Sequence, residues 1–220
     1  MDQYIDFHTH RKCFDKDVIA VYNQQLHEKK DAPEGFFSAG LHPWYADQIP
    51  LDILSSTLDQ LVSNSNMAAY GETGLDKVCS IPLQVQQDVF DLHLKKAVEH
   101  DKPLILHCVK SWDEIIEISC GYPVKKILHG YNGSVELTGR LLQKGFYFSV
   151  GSSILNPNSK ICHSIKSIPP TSLFCETDTS QLSIRSIYTG VCAALKMEED
   201  ALRSILFDNF QQLIKSAWSD

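Results

Sequence analysis

Residues able to bind a divalent cation recur at the ends of short apolar runs along this chain. Tyr4-Ile-Asp-Phe-His-Thr-His10 ends on His8 and His10, which period-two alternation places on one face of an extended strand, so that both can grip one ion. Phe36–His42 ends on His42, Met67–Glu72 on Glu72, Pro103–His107 on His107, Lys126–His129 on His129 and Leu173–Asp178 on Asp178. A polar group at the end of each buried run would cost about 1–3 kcal/mol if left unpaired, and a shared ion satisfies several together. His8, His10, His107 and His129 with Glu72 and Asp178 exceed what one tetrahedral ion uses. The inventory fits two ions about 3.5–4 Å apart, with Glu72 as the natural bridge. Nitrogen and oxygen donors without thiolate suit Zn²⁺, Mn²⁺ or a similar ion, and the histidines make Mg²⁺ alone less comfortable. His27, His93, His100 and His163 are read instead as hydrogen-bonded core or surface residues within helical segments.

These positions imply a repeating scaffold. Candidate strands cover Tyr4–Phe7, Val18–Tyr22, Phe36–Leu41, Met67–Tyr70, Leu104–Leu106, Lys126–Leu128, Phe146–Val150 and Ser172–Cys175. Amphipathic segments at Leu51–Val62, Leu83–His100, Trp112–Ser119, Val135–Gln143 and Ala201–Trp218 read as helices, with Ser80 as an N-cap and Pro82 in the first turn of the second. Strand-then-helix repetition favours parallel βαβ units, and eight strands favour an α/β, TIM-like (β/α)8 barrel with its polar strand ends gathered at the C-terminal mouth. The stretch from His10 to Val18 is too short for a crossover helix, so the barrel is expected to be distorted, with its first crossover helix missing.

With 220 residues, 43% of them hydrophobic, the chain suffices for one barrel-sized domain, expected to span 1–220. The net charge of −7 argues against a broad footprint for duplex nucleic acid, leaving room for a local cationic patch. No apolar run approaches the roughly 20 residues that span a bilayer, and no signal-peptide pattern opens the chain, so a soluble, cytoplasmic protein without membrane contact is expected. Seven cysteines without a C-x-x-C pair suggest reduced thiols.

His8-Thr-His10, Gly40-Leu-His42-Pro43, Gly71-Glu72-Thr-Gly74-Leu-Asp76, Leu106-His107, His129-Gly-Tyr-Asn-Gly133-Ser and Glu176-Thr-Asp178 follow one another along nearly the whole chain. In that order they resemble the TatD family of metal-dependent deoxyribonucleases, within the wider amidohydrolase-like barrel group. H-x-H alone is shared with other hydrolases; the G-E-x-G-L-D hexad, a P-x-x-x-H strand and E-T-D together are far more specific. The resemblance implies that His8, His10 and Asp178 hold one metal and His107 and His129 the second, with Glu72 shared. It makes Glu72 and Asp178 the catalytic carboxylates, Asp178 receiving the nucleophile's proton, and Asp76 and Glu176 orienting carboxylates. His42 and Lys110 are candidate substrate contacts, as are Lys77 and Arg185. The chain departs from the family at Val109, where a basic residue is usual two positions after His107, at Thr179-Ser180, where a small residue and proline usually follow E-T-D, and at His129-Gly-Tyr, where cysteine and phenylalanine usually follow the histidine. These changes lie on the substrate side more than among the ligands.

The implied activity is exonuclease-like hydrolysis of DNA, single-stranded or at an end, with two divalent ions and no obligate protein partner. One alternative keeps the ions and changes the bond to a small-molecule ester, amide or phosphomonoester. Another is a catalytically silent protein that keeps metal for stability. Trp44-Tyr45, beside His42-Pro43, offers either a stacking surface for a base or simple packing.

Overall fold

The computed structural model of the protein describes residues 2–28, 30 and 33–214. Eight strands run Tyr4–Thr9 (β1), Val18–Gln25 (β2), Phe37–Gly40 (β3), Met67–Asp76 (β4), Leu104–Val109 (β5), Lys126–Leu128 (β6), Phe146–Val150 (β7) and Leu173–Cys175 (β8). They form one sheet in chain order, with parallel ladders between β1 and β2, β3 and β4, β4 and β5, and β7 and β8. Helices at Leu51–Leu61 (α1), Leu83–Glu99 (α2), Trp112–Ser119 (α3), Val135–Gln143 (α4), Lys160–Ser164 (α5), Ile184–Leu195 (α6) and Glu199–Leu213 (α7) separate or follow the strands. This strand order and rhythm are those of a (β/α)8 barrel, the α/β class expected from the sequence. Residues 10–17 carry no helix; the Tyr4 N–H instead donates to the Asp17 carbonyl at 2.8 Å, so the first crossover is a short loop.

Three helix expectations change. Ser80 is not the cap of α2: Pro82 occupies that position in extended backbone (ψ 137°), which puts the proline outside the first turn. Helices α5 and α6 were not anticipated, although in α6 Ile184, Ile187, Tyr188 and Val191 fall at helical spacing and Ser183 accepts from the Ser186 N–H as its cap. The C-terminal helix ends at Leu213, and residues 215–218 of the expected Ala201–Trp218 segment lie outside the described residues.

The chain divides into two compact units, one running to Tyr22 and resuming at Leu128, the other Asn23–Ile127. In the Asn23–Ile127 unit, β4 is buried along its whole length. Its glycines are dictated by β5: a Cβ on Gly71 (φ 113°) would strike the Ile105 carbonyl oxygen, and one on Gly74 (φ 139°) the His107 carbonyl oxygen. Helix α2 buries Val89, Phe90, Leu94 and Ala97, and α1 buries Leu54 and Leu58, each of the larger side chains contributing about 1.5–3 kcal/mol of apolar burial.

In the other unit, Phe7 of β1 stacks on Phe174 of β8 (centroids 4.2 Å apart), with Phe210 of α7 edge-on at 6.4 Å. Here the ends of the first and last strands are neighbours. The Asp178 N–H donates to the His8 carbonyl (2.9 Å) and the His10 N–H to the Asp178 carbonyl (3.2 Å), around a parallel bridge between Thr9 and Asp178. Among the described residues no helix is long and apolar enough to cross a membrane, and all seven cysteines are free thiols.

Candidate metal centre

Ligand atoms of His8, His129 and Asp178 lie within 4.8 Å of one another in the unit built on β1 and β8. His8 is fully buried, with Nε2 3.7 Å from Asp178 Oδ1; His10 Nε2 is 3.4 Å from the same oxygen. Period-two alternation along β1 thus carries both histidines to one carboxylate, as the H-x-H spacing required. Asp178 itself adopts left-handed backbone (φ 50°), an uncommon conformation that Asp tolerates better than most residues.

Two further carboxylates support this cluster from within the protein. Asp6 accepts from the Thr177 N–H (2.8 Å) and the Thr177 hydroxyl (2.7 Å), tying β1 to the E-T-D segment. Burial drives its pKa up to about 7 against those two donors. Glu176 accepts from the Gly130 N–H at 2.6 Å and lies 3.5 Å from His129 Nδ1; burial raises its pKa too, against the pull of His129. A carboxylate behind one nitrogen of a histidine fixes the ring and raises the basicity of the other nitrogen.

His42, Glu72 and His107 form a second group in the Asn23–Ile127 unit. Its three edges are short: His42 Nε2 to Glu72 Oε1 3.3 Å, His107 Nδ1 to Glu72 Oε1 3.0 Å, and His42 Nε2 to His107 Nδ1 3.2 Å. The partners of each ring assign its protons. His42 caps the 3-10 turn Pro43–Tyr45, its Nδ1 accepting from the Trp44 N–H (3.2 Å), so a neutral His42 carries its proton on Nε2 and donates it toward Glu72. His107 has a carboxylate at each nitrogen, Asp76 Oδ2 at 3.3 Å from Nε2 and Glu72 at Nδ1. In a neutral ring one proton satisfies only one of them, and a cation between Nδ1 and Glu72 would satisfy the other. A tetrahedral ion with bonds of about 2.0–2.1 Å spaces its ligand atoms roughly 3.3–3.4 Å apart, close to the separation here. The donor set therefore fits a divalent ion, with His42 as a hydrogen-bond donor at its edge.

Glu72 is aimed by Asn23, which the sequence did not single out. Asn23 Nδ2 donates to Glu72 Oε2 (3.0 Å), while Asn23 Oδ1 accepts from the Glu72 N–H (3.2 Å) and the Ser38 hydroxyl (3.4 Å), so one buried amide fixes side chain and main chain together. Asp76 is built in as firmly: Oδ2 accepts from the Trp44 indole (2.7 Å), Oδ1 from the Val78 N–H (2.7 Å), and its N–H donates to Gln86 (2.8 Å). Burial alone would raise the Asp76 pKa; the donors Trp44, Val78 and His107 outweigh it and hold the carboxyl below its ordinary value.

The remaining expected residues separate by partner. His93 is wholly buried; its Nδ1 meets the Val89 carbonyl (2.8 Å) and its Nε2 accepts from the Leu41 N–H (3.3 Å), anchoring the chain just ahead of His42. Burial depresses its pKa to about 4, so the ring is neutral. His27 stacks on Tyr45 (3.6 Å), and His100 hydrogen-bonds the Tyr70 hydroxyl (2.7 Å). Of the candidate phosphate contacts, Lys77 pairs with Glu114, and Arg185 pairs with Asp15 at 3.0 Å while lying over the Tyr4 ring. Lys110 is exposed, just beyond β5.

A parallel α/β scaffold thus carries clustered histidines and carboxylates in or next to its strands, an arrangement able to hold divalent ions. The family model described as TatD related DNase matches residues 18–215, and the chain belongs to that family. An uncharacterized metal-dependent hydrolase of Buchnera aphidicola is 32% identical over 158 residues, covering 67% of this chain and 60% of that protein. A putative deoxyribonuclease homolog of Vairimorpha ceranae is 28% identical over 159 residues, covering 70% of this chain and 56% of that protein. The matches thus span less than two thirds of these relatives' own length. The solved structure of YjjV, a TatD homolog from Escherichia coli, superposes with a TM-score of 0.80 at 23% identity, covering 96% of this chain and 97% of its own. A TatD family hydrolase from Entamoeba histolytica gives 0.77 at 15% identity, covering 96% and 98%. Both share the fold.

Proposed function

We propose that the protein is a divalent-metal-dependent hydrolase that cleaves phosphodiester bonds at accessible DNA ends. The observation that carries this reading is the pair of carboxylate-histidine clusters, each backed by a second buried carboxylate, in a chain of the TatD-related DNase family. His8, His10, His129 and Asp178 supply one donor set, and Glu72 with His107 Nδ1 supplies the other. A bound divalent ion contributes Lewis acidity, acidifying a water and drawing charge from a phosphoryl oxygen. Asp178, partly exposed beside His8 and His10, accepts the proton that the attacking water gives up. The water oxygen bonds to phosphorus, the ester P–O bond breaks, and the departing alkoxide takes up the proton that Asp178 accepted, leaving as an alcohol and returning Asp178 to its carboxylate. His42 Nε2–H keeps Glu72 in place and can meet a substrate oxygen, and Lys110 supplies the positive charge for a flanking phosphate. Zn²⁺, Mn²⁺ and Mg²⁺ are the ions to compare.

A second reading, hydrolysis of a small phosphate or carboxylic ester, is favoured by the commitment of Lys77 to Glu114 and of Arg185 to Asp15 and Asp17. Those pairings draw two of the candidate cations away from the phosphates of a strand. The deciding experiment gives metal-stripped protein end-labelled single-stranded DNA, a nitrophenyl phosphate and an aminoacyl ester, restoring each ion separately, with Glu72→Ala as control. Metal-restored shortening of the labelled DNA, absent in the variant, supports the nuclease. Turnover of only the small esters overturns it in favour of the second reading.

A further inference from the structure

Trp44 and Tyr45 leave the same 3-10 turn and meet different fates. Tyr45 stacks against the His27 ring at 3.6 Å with an interplanar angle of 21°, so one of its faces is covered. Trp44 keeps 53% of its surface exposed, yet it is fastened at two points. Its backbone N–H donates to His42 Nδ1 (3.2 Å) and its indole N–H to Asp76 Oδ2 (2.7 Å). Asp76 Oδ2 is also the oxygen facing His107 Nε2, so one buried carboxylate sets both the indole and a residue of the second cluster. The indole stands edge-to-face with His42 (4.9 Å, 82°) and, farther off, with His107 (6.3 Å, 73°).

A large apolar ring left in water gains nothing from the hydrophobic effect in the folded state, and an indole locked by two hydrogen bonds has already lost the freedom that an exposed side chain normally keeps. A rigid, open aromatic surface is what a stacking partner requires, because the entropy of ordering it has been lost before the partner arrives. We propose that Trp44 is the base-stacking residue of this protein: a nucleobase flanking the scissile phosphodiester lies on its indole beside His42 and His107. The proposal rests on the phosphodiester reading and adds to it that the substrate is recognised by an aromatic ring as well as by its phosphate. Stacking on a π-face tolerates any base, so the preference it creates is for a base over no base, not for one sequence.

The test compares hydrolysis of an end-labelled oligonucleotide bearing a natural terminal nucleotide with hydrolysis of its abasic counterpart, by the metal-replete wild type, Trp44→Leu and Trp44→Phe. In the wild type kcat/KM favours the base-bearing end; in Trp44→Leu that preference shrinks roughly 5- to 150-fold, and in Trp44→Phe most of it returns. Both variants remove the indole donor from Asp76, so a purely structural role lowers both substrates together in both variants and leaves the preference unchanged, which overturns the proposal. Calorimetric titration with deoxyadenosine monophosphate and with deoxyribose 5-phosphate separates this outcome from failure of the nuclease reading. If no DNA is cut but the nucleotide binds more tightly than the sugar phosphate, and Trp44→Leu alone abolishes the difference, stacking stands and the nuclease reading falls. Equal binding of the two ligands by the wild type sinks the stacking proposal whether or not DNA is cut.

Discussion

His8, His10 and Asp178 owe their approach to the main chain, whereas Glu72 and His107 are aimed by side chains. In the first cluster the Asp178 N–H and carbonyl are both used in bonds to β1, so the acid and the two histidines move with the strands that carry them. In the second, Asn23 holds Glu72, Asp76 holds His107, and His42 spans the two. A backbone ladder tolerates changes in neighbouring side chains, while a side-chain lattice transmits each loss to the group it was holding. The first cluster should therefore be robust to substitutions around its donors and the second sensitive to them.

The largest effects test the donors themselves and should not distinguish the clusters. Glu72→Ala and Asp178→Ala are each expected to lower kcat on the order of 10³-fold, with bound metal falling together with activity in elemental analysis. The next substitutions separate the two designs. Asn23→Ala, which removes the bonds of Asn23 to the carboxylate and the N–H of Glu72, should cost about 10- to 100-fold in metal affinity. Thr177→Val removes the hydroxyl contacts to Asp6 and Thr9, leaves the main-chain bond to Asp6, and should cost clearly less; equal losses in metal titrations of the two variants would break the comparison.

A smaller effect concerns stability in the lattice-built unit. His93 has a folded pKa near 4 against an unfolded value near 6.5, so between these values the unfolded chain binds more protons. Its contribution is intact above about pH 6.5 and is eroded as the pH falls toward 4, by up to about 3 kcal/mol at the limit. Asp6, its pKa raised to about 7, acts in the opposite sense over the same range. The His93 contribution is therefore read as the difference between wild type and His93→Gln in urea unfolding of the metal-stripped protein at pH 7.5 and 5, the wild type losing more, or gaining less, stability at the lower pH. Smallest of all, Lys110→Ala should raise KM by a few-fold and weaken its dependence on salt, because one exposed charge is well screened.

The α/β class and the eight strands were legible because each buried run is short, β-rich and ended by a turn, and because the gap after His10 is plainly too short for a helix. Helix α6 was overlooked despite its helical spacing, since Ile184, Ile187 and Val191 also suit strands. His8, Glu72, His107, His129 and Asp178 announced themselves by closing apolar runs. Their division between two ions was not legible in the spacing and came only from the family resemblance. Asn23 gave no signal, sitting in a strand as an ordinary polar residue whose importance comes from Glu72, far along the chain. The role of His42 depends on which ring nitrogen carries the proton, and that is set by the Trp44 N–H in a turn no spacing rule describes.

The bridge between Thr9 and Asp178 also dictates an order of events during synthesis. His8 and His10 emerge from the ribosome before the carboxylate they face, that of Asp178, which lies far beyond them in the chain. Until then the histidine pair belongs to a loose segment whose β8 partner does not exist, and closing so long a loop is slow even though each doubling of loop length adds only about 0.6 kcal/mol. An ion that needs both His8 and Asp178 is thus acquired only after β1 and the segment carrying Asp178 have met, a consequence of folding and not its seed.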